Sequence, residues 1–233
     1  MALTHLTPVA KAPCFVEDDA TASLARRSLA EGLGTMLLMI AVAGSSSHAP
    51  ASSLGPAVAV GGSLIGLILA FGAVSGGHLN PTITILQWLY RGRRLDCSIA
   101  YVCAQVVGAV AGSLISAVMY VAPLSRPSNA LPPWSSVASE AVASFGLMMV
   151  VFCCTRSTSK LVGPFAVGLW LMAAIVSTPT GSIANPAVAI GLLATPGQTS
   201  ILVVLLFIIA QIAGGALATR IVSVVYPDDN PSR

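Results

Sequence analysis

Charge is what this chain has least of. Only 8% of its 233 residues are Asp, Glu, Lys or Arg, while 55% are hydrophobic; a soluble domain carries about 25% charged residues. Too little charge to clothe a globule excludes a soluble protein and leaves an integral membrane protein whose surroundings are the lipid bilayer. The alternating strands of about ten residues that mark a membrane barrel are missing too. The apolar runs instead last roughly 18 to 25 residues, enough to cross about 30 Å of hydrocarbon as helix, and a helix satisfies its backbone groups internally. Cysteine is scarce and unpatterned. Cys14, Cys97, Cys103, Cys153 and Cys154 form neither a disulfide framework nor a zinc-ligand spacing, so they read as apolar filler, and no metal and no cofactor is expected. The net charge of +3 is small; basic residues in such a chain report orientation, and no nucleic-acid partner is implied.

Eight apolar segments stand out, giving an all-α membrane protein. Six read as full spans, at roughly 26–45, 54–74, 97–120, 135–155, 161–178 and 199–223. Two read as half-length, at about 80–89 and 185–193. Residues 1–25 are predicted to be a mobile tail, with Pro8, Pro13 and the acidic run Glu17-Asp18-Asp19. Residues 121–134, with Pro123, Pro127, Pro132 and Pro133, read as a stiff connection between halves covering about 26–120 and 135–225; residues 226–233 are a second tail. Arg26-Arg27, the run Leu33 to Val42 and Ala41-Val42-Ala43 mimic a signal peptide. Glu31, in the apolar span just before that run, and its echo in the second half argue that the segment belongs to the mature fold. With the N-terminus inside, ten of the eleven Lys and Arg fall on the cytoplasmic side and only Arg126 outside. Both termini are therefore expected in the cytoplasm.

A phrase occurs twice. Gly77-His78-Leu79-Asn80-Pro81-Thr82 is answered by Ser182-Ile183-Ala184-Asn185-Pro186-Ala187. Asn before Pro is a helix start, with Asn as N-cap and Pro in the first turn. The duplication extends to Glu31 and Glu140, Gly55-Pro56 and Gly163-Pro164, and Gln105 and Gln211, with offsets of 109, 108 and 106 residues against 105 for the Asn pair. Three spans per half is odd, so the halves face opposite ways across the membrane as an inverted repeat. One half-helix then enters from each side, and their N-termini, each with about half a positive charge and free N–H donors, meet near the middle. Asn80 and Asn185 either cap locally or face a passing solute; their equivalent placement favours the solute. Glu31 and Glu140 read either as proton relays or as buried acceptors for the backbone before each half-helix. Their symmetry favours acceptors. Gln105 and Gln211 read as interhelical hydrogen-bonding residues, and the abundant Gly and Ala as close helix packing.

Taken with Ser75-Gly76-Gly77-His78-Leu79-Asn80-Pro81, these residues resemble the aquaporin, or major intrinsic protein, family from about Arg26 to Val225. The resemblance implies six helices plus two half-helices, a pore in each protomer and a homotetramer. It makes His78 a pore-lining residue, the alternative being a structural loop histidine. It also sharpens two departures. Thr82 stands where the family usually has Ala, and Val188 stands where it usually has Arg. Carried over by spacing from the Asn residues, the selectivity filter is Val60, Ala173, Ser182 and Val188, a ring without aromatic or charge.

The function expected is a passive channel for small neutral solutes: water, polyols such as glycerol, urea, and neutral metalloids such as arsenous acid. A bacterial plasma membrane is the expected location. The alternatives are an ordinary water channel and an ion-coupled transporter, the second needing a titratable site in the pathway. No nucleophile–base pair at membrane depth suggests an enzyme.

Overall fold

The computed structural model describes residues 14–18, 21–47, 49–90, 92–120, 131–157, 159–194 and 199–226. Among them the backbone is helical and free of strands: α1 (Leu24–Ser46), α2 (Leu54–Ser75), α3 (Pro81–Leu89), α4 (Leu95–Tyr120), α5 (Trp134–Cys154), α6 (Val162–Ser177), α7 (Pro186–Gly191) and α8 (Ile201–Val225), with a 3₁₀ turn over Leu192–Ala194 after α7. Each helix lies within a few residues of the segment expected for it. Side-chain caps open several, such as Ser23 Oγ, which accepts from the Arg26 amide at 3.3 Å, and Ser200 Oγ, which accepts from Val203 at 3.4 Å. One expectation changes. The fifth full span is a 16-residue helix, α6, about 24 Å long at 1.5 Å per residue and shorter than the five helices long and apolar enough to cross a membrane.

The halves pack alike. α1 lies along α4 and α5 along α8, while α2 meets α6 across the two halves. Lipid offers helices no hydrophobic reason to associate, so close backbone approach must supply the contact. A Cβ at Gly108 would collide with the carbonyl of Gly32, and one at Gly214 with the carbonyl of Ala141. Between the halves, a Cβ on either Gly61 or Gly168 would lie 2.8 Å from the other's carbonyl oxygen. The outward surface is apolar, with Val58, Leu69, Val107, Val118, Leu169 and Ile209 exposed, and polar groups are concentrated inside. That is the reverse of a soluble protein and what a hydrocarbon solvent requires.

The N-terminal tail also differs from expectation. Residues 14–18 are packed rather than loose: Cys14 and Phe15 are buried, and Lys160 donates to Asp18. Residues 1–13, most of the 121–134 connection, and 227–233 lie outside the described residues. Arg27, Arg93, Arg156 and Lys160 gather at the end of the bundle where this segment sits, linked to Glu17, to the Tyr226 carbonyl and to Asp18. These cations make it the basic end of the bundle.

Candidate functional site

Two short helices cannot begin inside a membrane unless their entry loops are satisfied. The Glu31 carboxylate does this for α3. Its Oε1 accepts from Ser75 Oγ at 2.6 Å and the His78 amide at 3.0 Å; its Oε2 accepts from the Leu79 amide at 2.6 Å and Gln105 Nε2 at 2.8 Å. Glu140 repeats the pattern before α7. Thr180 Oγ1 (2.7 Å) and the Ile183 amide (3.0 Å) reach Oε1, while the Ala184 amide (2.9 Å) and Gln211 Nε2 (2.7 Å) reach Oε2. Both glutamates are fully buried. Each carboxylate therefore has its four main lone-pair sites filled, the geometry of a backbone acceptor rather than a relay. Ser75 and Thr180 escaped the sequence reading, although their 105-residue offset equals that of the Asn pair and would have exposed them.

The loops turn sharply to deliver these amides. Leu79 and Ala184, equivalent residues just before each Asn, hold φ of 51° and 44°; Gly77 and Ser182 hold 64° and 47°. A left-handed residue that is not glycine costs on the order of 1–3 kcal/mol, offset here by charged hydrogen bonds worth about 1.5–3 kcal/mol each. The turn aims carbonyls at the opposite half. Asn80 Nδ2 donates to the Ala184 carbonyl and Asn185 Nδ2 to the Leu79 carbonyl, both at 2.8 Å. The oxygen of each Asn caps its own helix: Asn80 Oδ1 accepts from Thr82 N at 2.9 Å, and Asn185 Oδ1 from Ala187 N at 3.0 Å and Val188 N at 3.4 Å. Pro81 and Pro186 occupy the first turns, where a missing N–H costs nothing. Cap and brace use two capacities of the Asn80 carboxamide and three of the Asn185 carboxamide, and each Nδ2 has a second N–H beyond the one that braces. Thr82 and Ala187 are fully buried behind the motifs.

Both Asn side chains line a cavity of about 340 Å³ that passes between the halves. One wall is polar, built from His78, the two Asn and the strand of backbone from Thr180 to Ala184; the rest is aliphatic, including Leu64, Val167 and Leu171. Val60, Ser182 and Val188 are in the wall. Ala173 is not: it is exposed, and the nearby α6 residues that line the cavity are Leu171 and Ile175. Val188 is buried in the first turn of α7, and Ser182 Oγ, although buried, has no hydrogen-bond partner among the described residues. At this part of the cavity wall Val60, Ile175 and Val188 are aliphatic, and the Ser182 hydroxyl is unpartnered among the described residues.

His78 lines the cavity beside the first Asn-Pro pair. Its Nδ1 lies 2.9 Å from Thr84 Oγ1, and its ring meets Tyr101 edge-on with centroids 5.7 Å apart. Its Nε2 lies 3.2 Å from the Phe15 carbonyl, which can only accept, and 3.5 Å from Arg93 Nη2, which can only donate; the shorter contact favours the tautomer with the proton on Nε2.

The comparisons agree with this geometry. The profile of the family described as Major intrinsic protein matches residues 19–182. Aquaglyceroporin AqpS of Rhizobium meliloti is 39% identical over 176 residues, 72% of this chain and 75% of that protein. Glycerol uptake facilitator protein-like 6 of Lactiplantibacillus plantarum is 29% identical over 217 residues, 88% of this chain and all of that one. The X-ray structure of the aquaglyceroporin from Plasmodium falciparum matches with a TM-score of 0.74 over 88% of this chain and 98% of that one, at 19% identity, a likeness of fold. Two half-helices whose Asn amides each donate to the opposite half's backbone, together with a family match over most of the length, mean that this chain belongs to the major intrinsic protein family and is a passive membrane channel for small neutral solutes, not an enzyme.

Proposed function

We propose that this channel admits neutral solutes larger than water, glycerol-like polyols and neutral metalloid hydroxides among them, through a filter formed by Val60, Ile175, Ser182 and Val188. The observation that carries the proposal is Val188, an aliphatic side chain in the cavity wall at the position where the family usually places arginine. Arsenous acid is an uncharged triol at neutral pH. Its methylated forms add an apolar face that an aliphatic ring desolvates at little cost, while the Ser182 hydroxyl and the spare N–H of Asn80 and Asn185 meet the hydroxyls. The names of the relatives, an aquaglyceroporin and a glycerol uptake facilitator-like protein, support polyols as the broader class. The basic end faces the cytoplasm in this reading, because Lys and Arg are retained on that side; the membrane is a bacterial plasma membrane, and the protomers assemble as a homotetramer with one pore each.

Stopped-flow swelling of proteoliposomes in glycerol, with uptake of arsenite and monomethylarsonous acid measured alongside, tests the solute class. Rates well above empty vesicles are expected for all three. Water permeation with glycerol and arsenical rates equal to empty vesicles would sink the wide-filter reading.

A further inference from the structure

The cavity is lined by His78 and Ile68 on the side of the basic end. Beyond it lies a second cavity, lined by Cys14, Phe15, Val16 and Asp18 on one side and by Ile68, Gly72 and Gly76 on the other. Ile68 borders both. The segment 14–18 walls the second cavity and touches the lining of the first at His78: the Phe15 carbonyl accepts from His78 Nε2 and from Gln87 Nε2, each at 3.2 Å.

We propose that residues 14–18 are a removable lid seated in the basic-end mouth of the pore, so that the structure is a closed channel that opens when this segment withdraws.

Three sets of contacts hold the lid, and none is a helix or a covalent tie. Cys14 and Phe15 fill the mouth as an apolar plug, with the Cys14 thiol 3.5 Å from the Ser159 carbonyl. Glu17 forms a clasp between Arg27 and Arg93, the second at 2.8 Å. The Asp18 amide donates to the Ala73 carbonyl at 2.9 Å and its carboxylate pairs with Lys160. Burial pushes the Glu17 carboxyl up, but its own backbone hydrogen bond and the guanidiniums of Arg93 and Arg27 outweigh it and hold the carboxyl below its ordinary value. The clasp is thus ionised at neutral pH.

The walls are cut to admit the segment. A Cβ on Gly163 would lie 2.7 Å from Cys14 Cβ and 3.1 Å from Phe15 Cε2, and one on Gly76 would lie 2.8 Å from the Phe15 carbonyl oxygen. Gly55, the repeat partner of Gly163 at the other end of the bundle, meets nothing within 4 Å, so the crowding belongs to one mouth only. Phe15 itself holds φ 62°, a conformation that side chains rarely adopt and that the two donors to its carbonyl maintain. A five-residue segment strained at Phe15 and pinned by ion pairs near the aqueous rim is built to come off, unlike a buried helix.

The test uses the full chain in proteoliposomes, comparing wild type with Glu17→Arg, which sets a third cation against Arg27 and Arg93, and Gly163→Leu, which drives a side chain into Cys14. Water and glycerol permeability are read by stopped flow, and maleimide labelling of Cys14 is read by peptide mass spectrometry. Wild type is expected to protect Cys14; both variants are expected to raise Cys14 labelling and both permeabilities by about tenfold, one decade in the closed-to-open ratio. Labelling that rises while permeability stays flat would show a loose segment that does not close the pore. Unchanged labelling and flux in both variants would remove these contacts as the closure, and either result overturns the lid. If Gly163→Leu does not fold, Glu17→Arg decides alone. Water flux makes the test independent of which larger solute the filter prefers.

Discussion

An arginine at position 188 would bring a full charge and five donors into the wall beside Ser182, where valine brings three carbons. Val188→Arg is therefore expected to slow glycerol and methylated arsenicals by about tenfold, a barrier of ~1.4 kcal/mol, and water by much less; stopped-flow swelling with both solutes checks it, and equal slowing would argue against a size filter here. The α6 side of the ring offers a cleaner comparison. Ile175→Ala should speed glycerol relative to water because Ile175 stands in the wall, whereas Ala173→Val should leave both rates unchanged because Ala173 points away from the cavity. The same proteoliposome assay separates them, and the reverse pattern would restore Ala173 to the filter.

At the scale of elements, each half-helix depends on a carboxylate from another helix. Glu31→Gln or Glu140→Gln keeps the volume but sets an NH₂ group against backbone amides or the neighbouring Gln in a fully buried site. Each is expected to cost about 2–4 kcal/mol, since hydrogen bonds to a charged group are worth about 1.5–3 kcal/mol, and to lower the unfolding temperature in detergent. The double variant should deviate from additivity because the loops brace each other through the Asn amides. A thermal shift of less than one degree for either single variant would contradict the acceptor role. The helix pairs carry a parallel expectation. Gly108→Leu and Gly214→Leu should each part a pair whose backbones nearly touch, reducing yield and thermal stability alike; normal melting of either would mean that α1 and α4, or α5 and α8, can separate at little cost.

In the whole molecule the positive ends of α3 and α7 meet at one place between the halves. With no charged side chain in the aliphatic ring, this meeting point is left as the main barrier to protons. Asn185→Asp puts a negative charge there and is expected to admit protons, measured with a pH dye trapped in vesicles; a leak no greater than wild type would place proton exclusion elsewhere. The same architecture explains how much was legible beforehand. Run lengths, the doubled Asn-Pro phrase and the placement of Glu31, Glu140, Gln105 and Gln211 follow from local chemistry and duplication, so element bounds and the meeting of two half-helices could be read, whereas the bond from each Asn amide to the other half's carbonyl could not. The register of α6 could not. Two residues along a helix turn it by about 200°, so counting back from Asn185 to Ala173 rather than Ile175 moves a side chain from the cavity wall to the exposed face of α6.

Hydrophobic length, helix-start signals and internal repetition are properties of short stretches, and through them the sequence by itself determined a membrane bundle of inverted halves with two half-helices. The tertiary structure decided what depends on distant partners. Glu17 and Asp18 read as part of a loose acidic tail because nothing near them in sequence says otherwise. Their partners Arg27, Arg93 and Lys160 lie 10, 76 and 142 residues away, and only the fold brings those cations to one mouth, where the tail meets the pore histidine.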